Sequence, residues 1–198
     1  YPVVSKKISM GISRYRNTKS NVQKELRLHG GINPTSGKKQ QATVSKKWHF
    51  LIEAPFKISE QCCMYMKKKP IKLFNKDSGL HGYVGTMACD SHMRKQNYLK
   101  HGCNNYVGSD SYSTPMSFWK EEDVWVYLKK NKIAYSKIYD MGYDRTGCIF
   151  CMFGMQMERG EDRFSRMSRT HPKQYKYCMD KLGLREVINY VKNVDLEL

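Results

Sequence analysis

The chain has 198 residues, enough for one domain with a real core or for one large piece of a domain. Apolar residues make up 40% and aromatics 12%, which excludes a disordered chain, and the lack of a run of about 18 apolar residues excludes a membrane-spanning helix. Lys and Arg number 35 against 18 Asp and Glu, a formal net charge of +17, which points to anionic partners: nucleic acid, a nucleotide, or sulfate-like and phosphate-like groups.

The opening "YPVVSKKISMG" has no initiator Met and no apolar stretch of the signal-peptide kind. Val3 and Val4 read as a strand entered in mid-domain, so residues 1–13 are expected to form a strand and helix of an α/β domain, with a further segment upstream. Residues 14–47 hold nine Lys or Arg against the single acid Glu25, with Gly30-Gly31, Asn33-Pro34 and Ser36-Gly37 as breakers. They predict a short helix near Val22 to Leu28 and then a mobile basic loop or insertion. Trp48, Leu51 and Ile52 have helical spacing up to Pro55. Ser59 is placed to cap a helix with Glu60 in its first turn and Lys67 to Lys69 in its last, stopped by Pro70. "GYVGTMAC" predicts a strand over Tyr83 to Met87, followed by a helix near Ser91 to Lys100. "TPMSFWKEEDVWVYLKKN" predicts a helix with Ser117 in its cap region, acids at its start and lysines at its end. After a loop, helices are expected near Arg163 to Ser168 and His171 to Leu182. Residues 48–162 thus carry the body of the domain and 163–198 a helical end. Alternating strands and helices predict an α/β fold with a mainly parallel sheet and its ligand at the carboxyl ends of the strands.

Seven cysteines are an odd number. Without a secretion signal they point to a reducing cytoplasm, where cysteines at ligand spacing bind metal or do chemistry. Cys148-Ile149-Phe150-Cys151 is a C-x-x-C, and Cys62 and Cys63 are adjacent. Zinc uses the C-x-x-C as its commonest half-site, but two neighbouring helical residues diverge by about a third of a turn. A cubane cluster presents separate irons to separate thiolates, which the tandem favours without deciding the matter. A disulfide-exchange role for Cys148 and Cys151 is the weakest alternative, because no thioredoxin-like pattern surrounds them.

"CCMYMKKKPIKLF" resembles the C-C-x-x-x-K-x-x-P-L segment of the sulfonucleotide reductases, the adenylyl-sulfate and 3′-phosphoadenylyl-sulfate (PAPS) reductase family. "GYDRTGCIFC" resembles that family's G-x-x-R-x-G-C-x-x-C, and "GTMACDSHMRK" its G-x-R-x-x-x-S-x-x-R. "PMSFWKEEDVWVYL" is similar to P-x-x-x-W-x-x-x-D-V-W-x-Y, and "GEDRFSRM" to G-E-D-x-R-x-G-R-W. The matches run in the family's order from about Pro55 to Arg166, and look closest to its phage and mobile-element branch. The resemblance implies the C-terminal portion of an adenine nucleotide alpha-hydrolase-like (PP-loop) parallel-sheet domain with a helical C-terminal part. It implies a [4Fe-4S] cluster on Cys62, Cys63, Cys148 and Cys151, with zinc as the alternative. It also implies anion binding by Lys67, Arg163 and Arg166, with Arg94 and Arg145 as further candidates. Lys67 would equally complement a helix dipole, and Arg94 and Arg145 would equally serve as structural ion pairs.

Three departures qualify the resemblance. The phosphate-cradling S-G-G-x-D-S of the superfamily is absent from this sequence, as is the E-C-G-x-H that supplies the reductases' nucleophilic cysteine, and Met87 replaces the first arginine of G-x-R. No catalytic residue is therefore assigned. The expected function is a cytoplasmic, nucleotide-dependent sulfur-metabolism enzyme with an iron–sulfur cluster. It would act on an adenine sulfonucleotide or ATP, with an upstream PP-loop segment and an external thiol donor such as thioredoxin. The alternatives are a non-catalytic, metal-stapled basic module that binds nucleic acid, and a sulfur-incorporating subunit of a DNA or RNA modification system.

Overall fold

A computed structural model describes residues 1–106 and 111–195, which fall into two compact units. The first comprises Tyr1–Cys63 and Tyr143–Leu198, and the second Met64–Gly142. This division cuts across the expected boundaries at residues 13, 47 and 162, because residues distant in sequence share one core. The last three residues of the expected helical end, 196–198, lie outside the described residues.

The first unit begins with strand β1 (Val3–Val4), from which the chain turns directly into helix α1 (Lys6–Asn17). Ser5 caps that helix, its hydroxyl accepting the Ile8 N–H at 3.2 Å. Buried Ser9 closes a local circuit: its Oγ accepts the Val3 N–H at 3.2 Å and its hydroxyl donates to the Val3 carbonyl at 2.7 Å. A buried hydroxyl is tolerated when both roles are satisfied in this way. Helix α2 (Asn21–His29) packs on α1, capped by Ser20.

The basic stretch 14–47 differs from the expected loose loop. Ala42 and Val44 are buried in the core, and they pass so close to α1 that a Cβ on Gly11 would lie 2.4 Å from the Ala42 carbonyl oxygen. Two of the basic residues are used inward. Arg16 donates to the backbone carbonyls of Leu51, Ile52, Ala54 and Phe56 at 2.7–2.8 Å, and Arg27 donates to the Gln41 carbonyl. Loop carbonyls with no ladder partner need donors, and a guanidinium fork supplies several from one side chain.

A 3₁₀ segment (Lys46–Glu53) follows, and it sends Trp48 and Leu51 into the core. From residue 143 the chain supplies a second strand, Met152–Phe153, and the helices Arg163–Thr170, Pro172–Lys176 and Leu184–Asp195. A π-helical turn, Tyr177–Lys181, lies between the last two. The strand pairs parallel with β1, Val3 opposite Met152 and Val4 opposite Phe153. Val4 has φ 59°, a left-handed conformation costly for a β-branched residue, and its carbonyl accepts the Gly154 N–H at 2.8 Å. Val3, Ile12, Val44, Leu51, Met152, Leu184 and Val187 are the most deeply buried apolar side chains of this core. Each contributes about 1.5–3 kcal/mol on the area scale.

The second unit starts with a π-helical turn, Met64–Lys68, that runs into helix α3 (Lys69–Ser78). Pro70 does not stop a helix as expected; it sits in the first turn of α3, where its missing N–H is not needed. Strand β2 (Gly82–Tyr83) leads to helix α4 (His92–His101), close to its expected place and capped by Ser91. Strands β3 (Asn104–Asn105) and β4 (Tyr112–Ser113) complete a small sheet, in which β4 lies parallel to β2 and antiparallel to β3. Helix α5 (Glu121–Lys130) begins three residues later than a Ser117 cap would place it. Asp123 instead accepts the Lys120 N–H at 2.8 Å, and Ser117 is buried, donating to Thr114 Oγ1 at 2.7 Å. Numbering in chain order, the first unit's later elements are β5 (Met152–Phe153), α6 (Arg163–Thr170), α7 (Pro172–Lys176) and α8 (Leu184–Asp195). The fold is α/β with parallel pairing in both sheets.

Candidate functional site

All four cysteines of the tandem and the C-x-x-C lie in the first unit, each a free thiol and each half-buried. Cys148 and Cys151 bracket a tight turn, in which the Cys151 N–H donates to the Cys148 carbonyl at 3.1 Å. The turn runs straight into β5, so Cys151 stands at that strand's amino end. Phe150, between the two cysteines, packs against the core. The tandem follows Ser59, whose N–H donates to the Tyr1 carbonyl at 3.0 Å and whose Oγ accepts the Gln61 N–H at 3.1 Å. Cys62 adjoins Cys63 in the chain, and Cys151 is near enough to act on the Cys62 thiol electrostatically. Burial pushes its thiol pKa up, and the neighbouring Cys63 and Cys151 push it further.

Among the described residues, no group of three or more His, Cys, Asp or Glu side chains is gathered closely enough to hold a metal ion. The donor chemistry nevertheless fits a thiolate-bound centre: four thiols share one unit, with no disulfide taking any of them out of play. Beside Cys62 lies a cavity of about 290 Å³, lined mainly by apolar atoms of Tyr1, Phe150, Leu182 and Leu184.

Two braces hold the C-x-x-C turn. Arg163 donates to the Cys151 carbonyl at 2.9 Å, and the Cys178 thiol donates to the Ile149 carbonyl at 3.6 Å. Cys178 is fully buried, with its thiol pKa raised by burial. Neither contact has a signature in the sequence. Cys178 reaches the turn because the π-helical turn Tyr177–Lys181 closes with the Leu182 N–H on the Tyr177 carbonyl at 3.0 Å.

The expected anion-binding residues divide between the units. Arg163 and Arg166 stand one turn apart on α6, and Arg145 is exposed on the loop before Cys148. Lys67, in the π-helical turn, and Arg94, on α4, belong to the second unit. Arg163 Nε and Nη2 grip Glu158 at 2.7 and 2.6 Å. Arg166 faces Glu161 at 3.6 Å and lies over the Tyr143 ring, 5.3 Å from its centroid. Glu161 also holds Arg169 at 2.6 Å, and the Arg169 hydrogen bond keeps its carboxyl pKa below the ordinary range. Asp162 caps α6 by accepting the Phe164 and Ser165 N–H groups at 2.9 and 3.0 Å. Burial alone would raise its pKa, but hydrogen bonds from Ser165 and Phe164 and the charge of Lys192 outweigh that and lower it.

Arg94 is ion-paired with Asp90 one turn earlier, as its structural alternative predicts. It also lines an open pocket of about 430 Å³ with Met87, Asn97, Tyr98, Tyr112 and Thr114. Met87 puts a thioether in that wall where the family pattern has an arginine.

Residues 12–153 match the family described as the phosphoadenosine phosphosulfate reductase domain. Over 115 residues the chain is 31% identical to an uncharacterized protein of Methanocaldococcus jannaschii, covering 57% of this chain and 23% of the relative. It is 28% identical over 97 residues to the adenosine 5′-phosphosulfate reductase of Oceanobacillus iheyensis, covering 46% of this chain and 37% of the relative. It is 27% identical over 118 residues to the enzyme of that name from Staphylococcus epidermidis, covering 56% and 45%. The chain therefore spans less than half the length of these curated relatives. No solved structure matches it.

Proposed function

The chain belongs to the phosphoadenosine phosphosulfate reductase domain family, and from that premise we propose that it is part of an enzyme that reduces, or transfers sulfur from, an adenine sulfonucleotide. Cys62, Cys63, Cys148 and Cys151 would hold its [4Fe-4S] cluster. The observation that carries this reading is that all four thiols, two from each of the chain segments that build the first unit, lie in that one unit with no disulfide among them. When bound, such a cluster would supply a compact charged centre.

The protein's own residues would bind and orient the nucleotide. Arg145, Arg163 and Arg166, all of the first unit, would contribute positive charge toward sulfate or phosphate oxygens, and Lys67 and Arg94 are separate anion-binding candidates of the second unit. Guanidinium groups suit such oxygens because their N–H donors lie in one plane at matching spacing. Glu158 and Glu161 pair with Arg163 and Arg166, which would hold those side chains in place for an anion. An external thiol donor such as thioredoxin would supply the attacking thiol, since buried Cys178 is poorly placed for that role. The nucleotide's phosphates are assigned to a PP-loop segment upstream. The test is sulfite release from PAPS and from adenylyl sulfate with thioredoxin, comparing this chain with a longer one that carries an S-G-G-x-D-S segment. Turnover only by the longer chain with added thiol is expected, and robust turnover by this chain alone would contradict the assignment.

A second reading, a nucleic-acid partner, is favoured by α3 and the turn before it. Lys67, Lys68, Lys69 and Lys76 stand exposed among exposed Tyr65 and Phe74, the mixture of cations and stacking faces that single strands bind. A sulfur-incorporating enzyme with a nucleic-acid substrate would combine both readings.

A further inference from the structure

The arginine that the family pattern assigns to the substrate has a second attachment in this structure, and that attachment points at the cysteines. Arg163 Nη1 donates to the Cys151 carbonyl at 2.9 Å, while Nε and Nη2 are taken by Glu158. The Arg163 N–H also donates to Glu158 Oε2 at 2.9 Å, so the carboxylate locks both the backbone and the side chain of that residue. From the opposite side of the turn, the Cys178 thiol donates to the Ile149 carbonyl. The turn's own hydrogen bond, Cys151 N–H to Cys148 carbonyl, lies between these two supports.

We infer that Arg163 and Cys178 are positioning residues for the C-x-x-C: together they fix the carbonyls of Ile149 and Cys151 and thereby aim the Cys148 and Cys151 thiols. The physical argument is one of satisfaction. Backbone carbonyls outside a ladder need donors, and two of this turn's carbonyls find theirs on side chains brought by α6 and by the π-helical turn, which restricts the turn's shape. The π-helical turn supplies a reason for its own irregularity. Cys178 and Met179 are both buried on it, and such insertions re-aim side chains at functional sites. Outer contacts of this kind hold ligating side chains in place before the ligand binds. Cys178 is thus neither a spare thiol nor a ligand, and Arg163 does not act on the anion alone.

The inference rests on the metal reading only for its purpose, and its test needs no metal. The reduced, metal-free full chain is followed by hydrogen exchange, comparing the peptide over residues 146–153 with the peptide covering α1. Arg163→Ala and Cys178→Ala are each expected to speed exchange of the Cys151 amide about three- to tenfold, the effect of losing one hydrogen bond's support. Cys178→Ser, which keeps a donor in place, is expected to stay near the parent rate, and α1 should not change in any variant. An unchanged turn in both alanine variants overturns the inference. Equal acceleration in α1 overturns it too, because the effect would then be general loosening. If the parent protein proves to bind no metal while the turn still responds, the bracing stands and the metal reading alone fails.

Discussion

The two units of this protein are stabilised by different means. Among the described residues, every buried apolar side chain belongs to the first unit, whereas the buried residues of the second are only Thr114 and Ser117. The second is held by hydrogen bonds and ring contacts instead. Thr114 bonds the Cys103 carbonyl through both its N–H and its hydroxyl, at 2.6 and 3.0 Å. Trp125 meets Tyr135 and Tyr139 edge-on at 5.2 and 5.1 Å. Tyr83, Met93, Leu99 and Phe118 stand exposed. The difference teaches where function can be built with precision. Aiming thiols requires rigid neighbours, and all four candidate ligands lie in the unit with the packed core.

The comparison is broken most easily at the core. Leu51→Ala removes a fully buried side chain and is expected to cost about 2–5 kcal/mol by urea unfolding. Phe118→Ala, at a side chain 65% exposed, should stay within about 0.5 kcal/mol. Equal effects would mean that the two units are packed alike. Arg16→Ala leaves four loop carbonyls without their shared donor and is expected to cost about 1.5–3 kcal/mol. Because the role is structural, nucleotide or nucleic-acid affinity per folded molecule should not change.

Trp125→Ala sharpens the comparison from the other side. With two edge-on partners lost, it should cost about 1–3 kcal/mol, with the loosening confined to the second unit by hydrogen exchange. A smaller effect than that of Trp125→Ala is expected at Asp162. Its pKa is lowered in the folded protein, so its stabilising share is present above the ordinary aspartate value of about 3.9 and fades as pH falls through the folded value. Asp162→Ala should cost about 1 kcal/mol at neutral pH. Asp162→Asn keeps a cap and should chiefly flatten the acid limb of the stability profile. An unaltered acid limb would show that the carboxylate is not the responsible group.

Much of this was legible in the sequence wherever a local rule acts. Helices α4 and α6 begin close to where their sequences predict, and the adjacent and spaced cysteines identify themselves by type and interval. What stayed hidden depends on contacts between distant residues. Pro70 reads as a stop until the π-helical turn before it makes it a first-turn residue. Ser117 reads as a cap until Thr114 claims its hydroxyl. The basic run 14–47 reads as a solvated loop because nothing local reveals that Arg16 faces carbonyls 35 to 40 residues away. The links from Cys178 to Ile149 and from Glu158 and Glu161 to the arginines follow no helical or strand period, so no periodic reading finds them.

The proposed iron–sulfur centre on Cys62, Cys63, Cys148 and Cys151 is open to a direct measurement. Iron and acid-labile sulfide are measured, with the visible absorption spectrum, on protein purified without oxygen. The same is done for each cysteine replaced by Ser. About four irons and four sulfides per chain are expected for a [4Fe-4S] centre, lost in any of the four ligand variants and retained in Cys89→Ser, Cys103→Ser and Cys178→Ser. Zinc in place of iron, or iron that survives loss of the Cys62 or Cys148 thiol, would contradict the account.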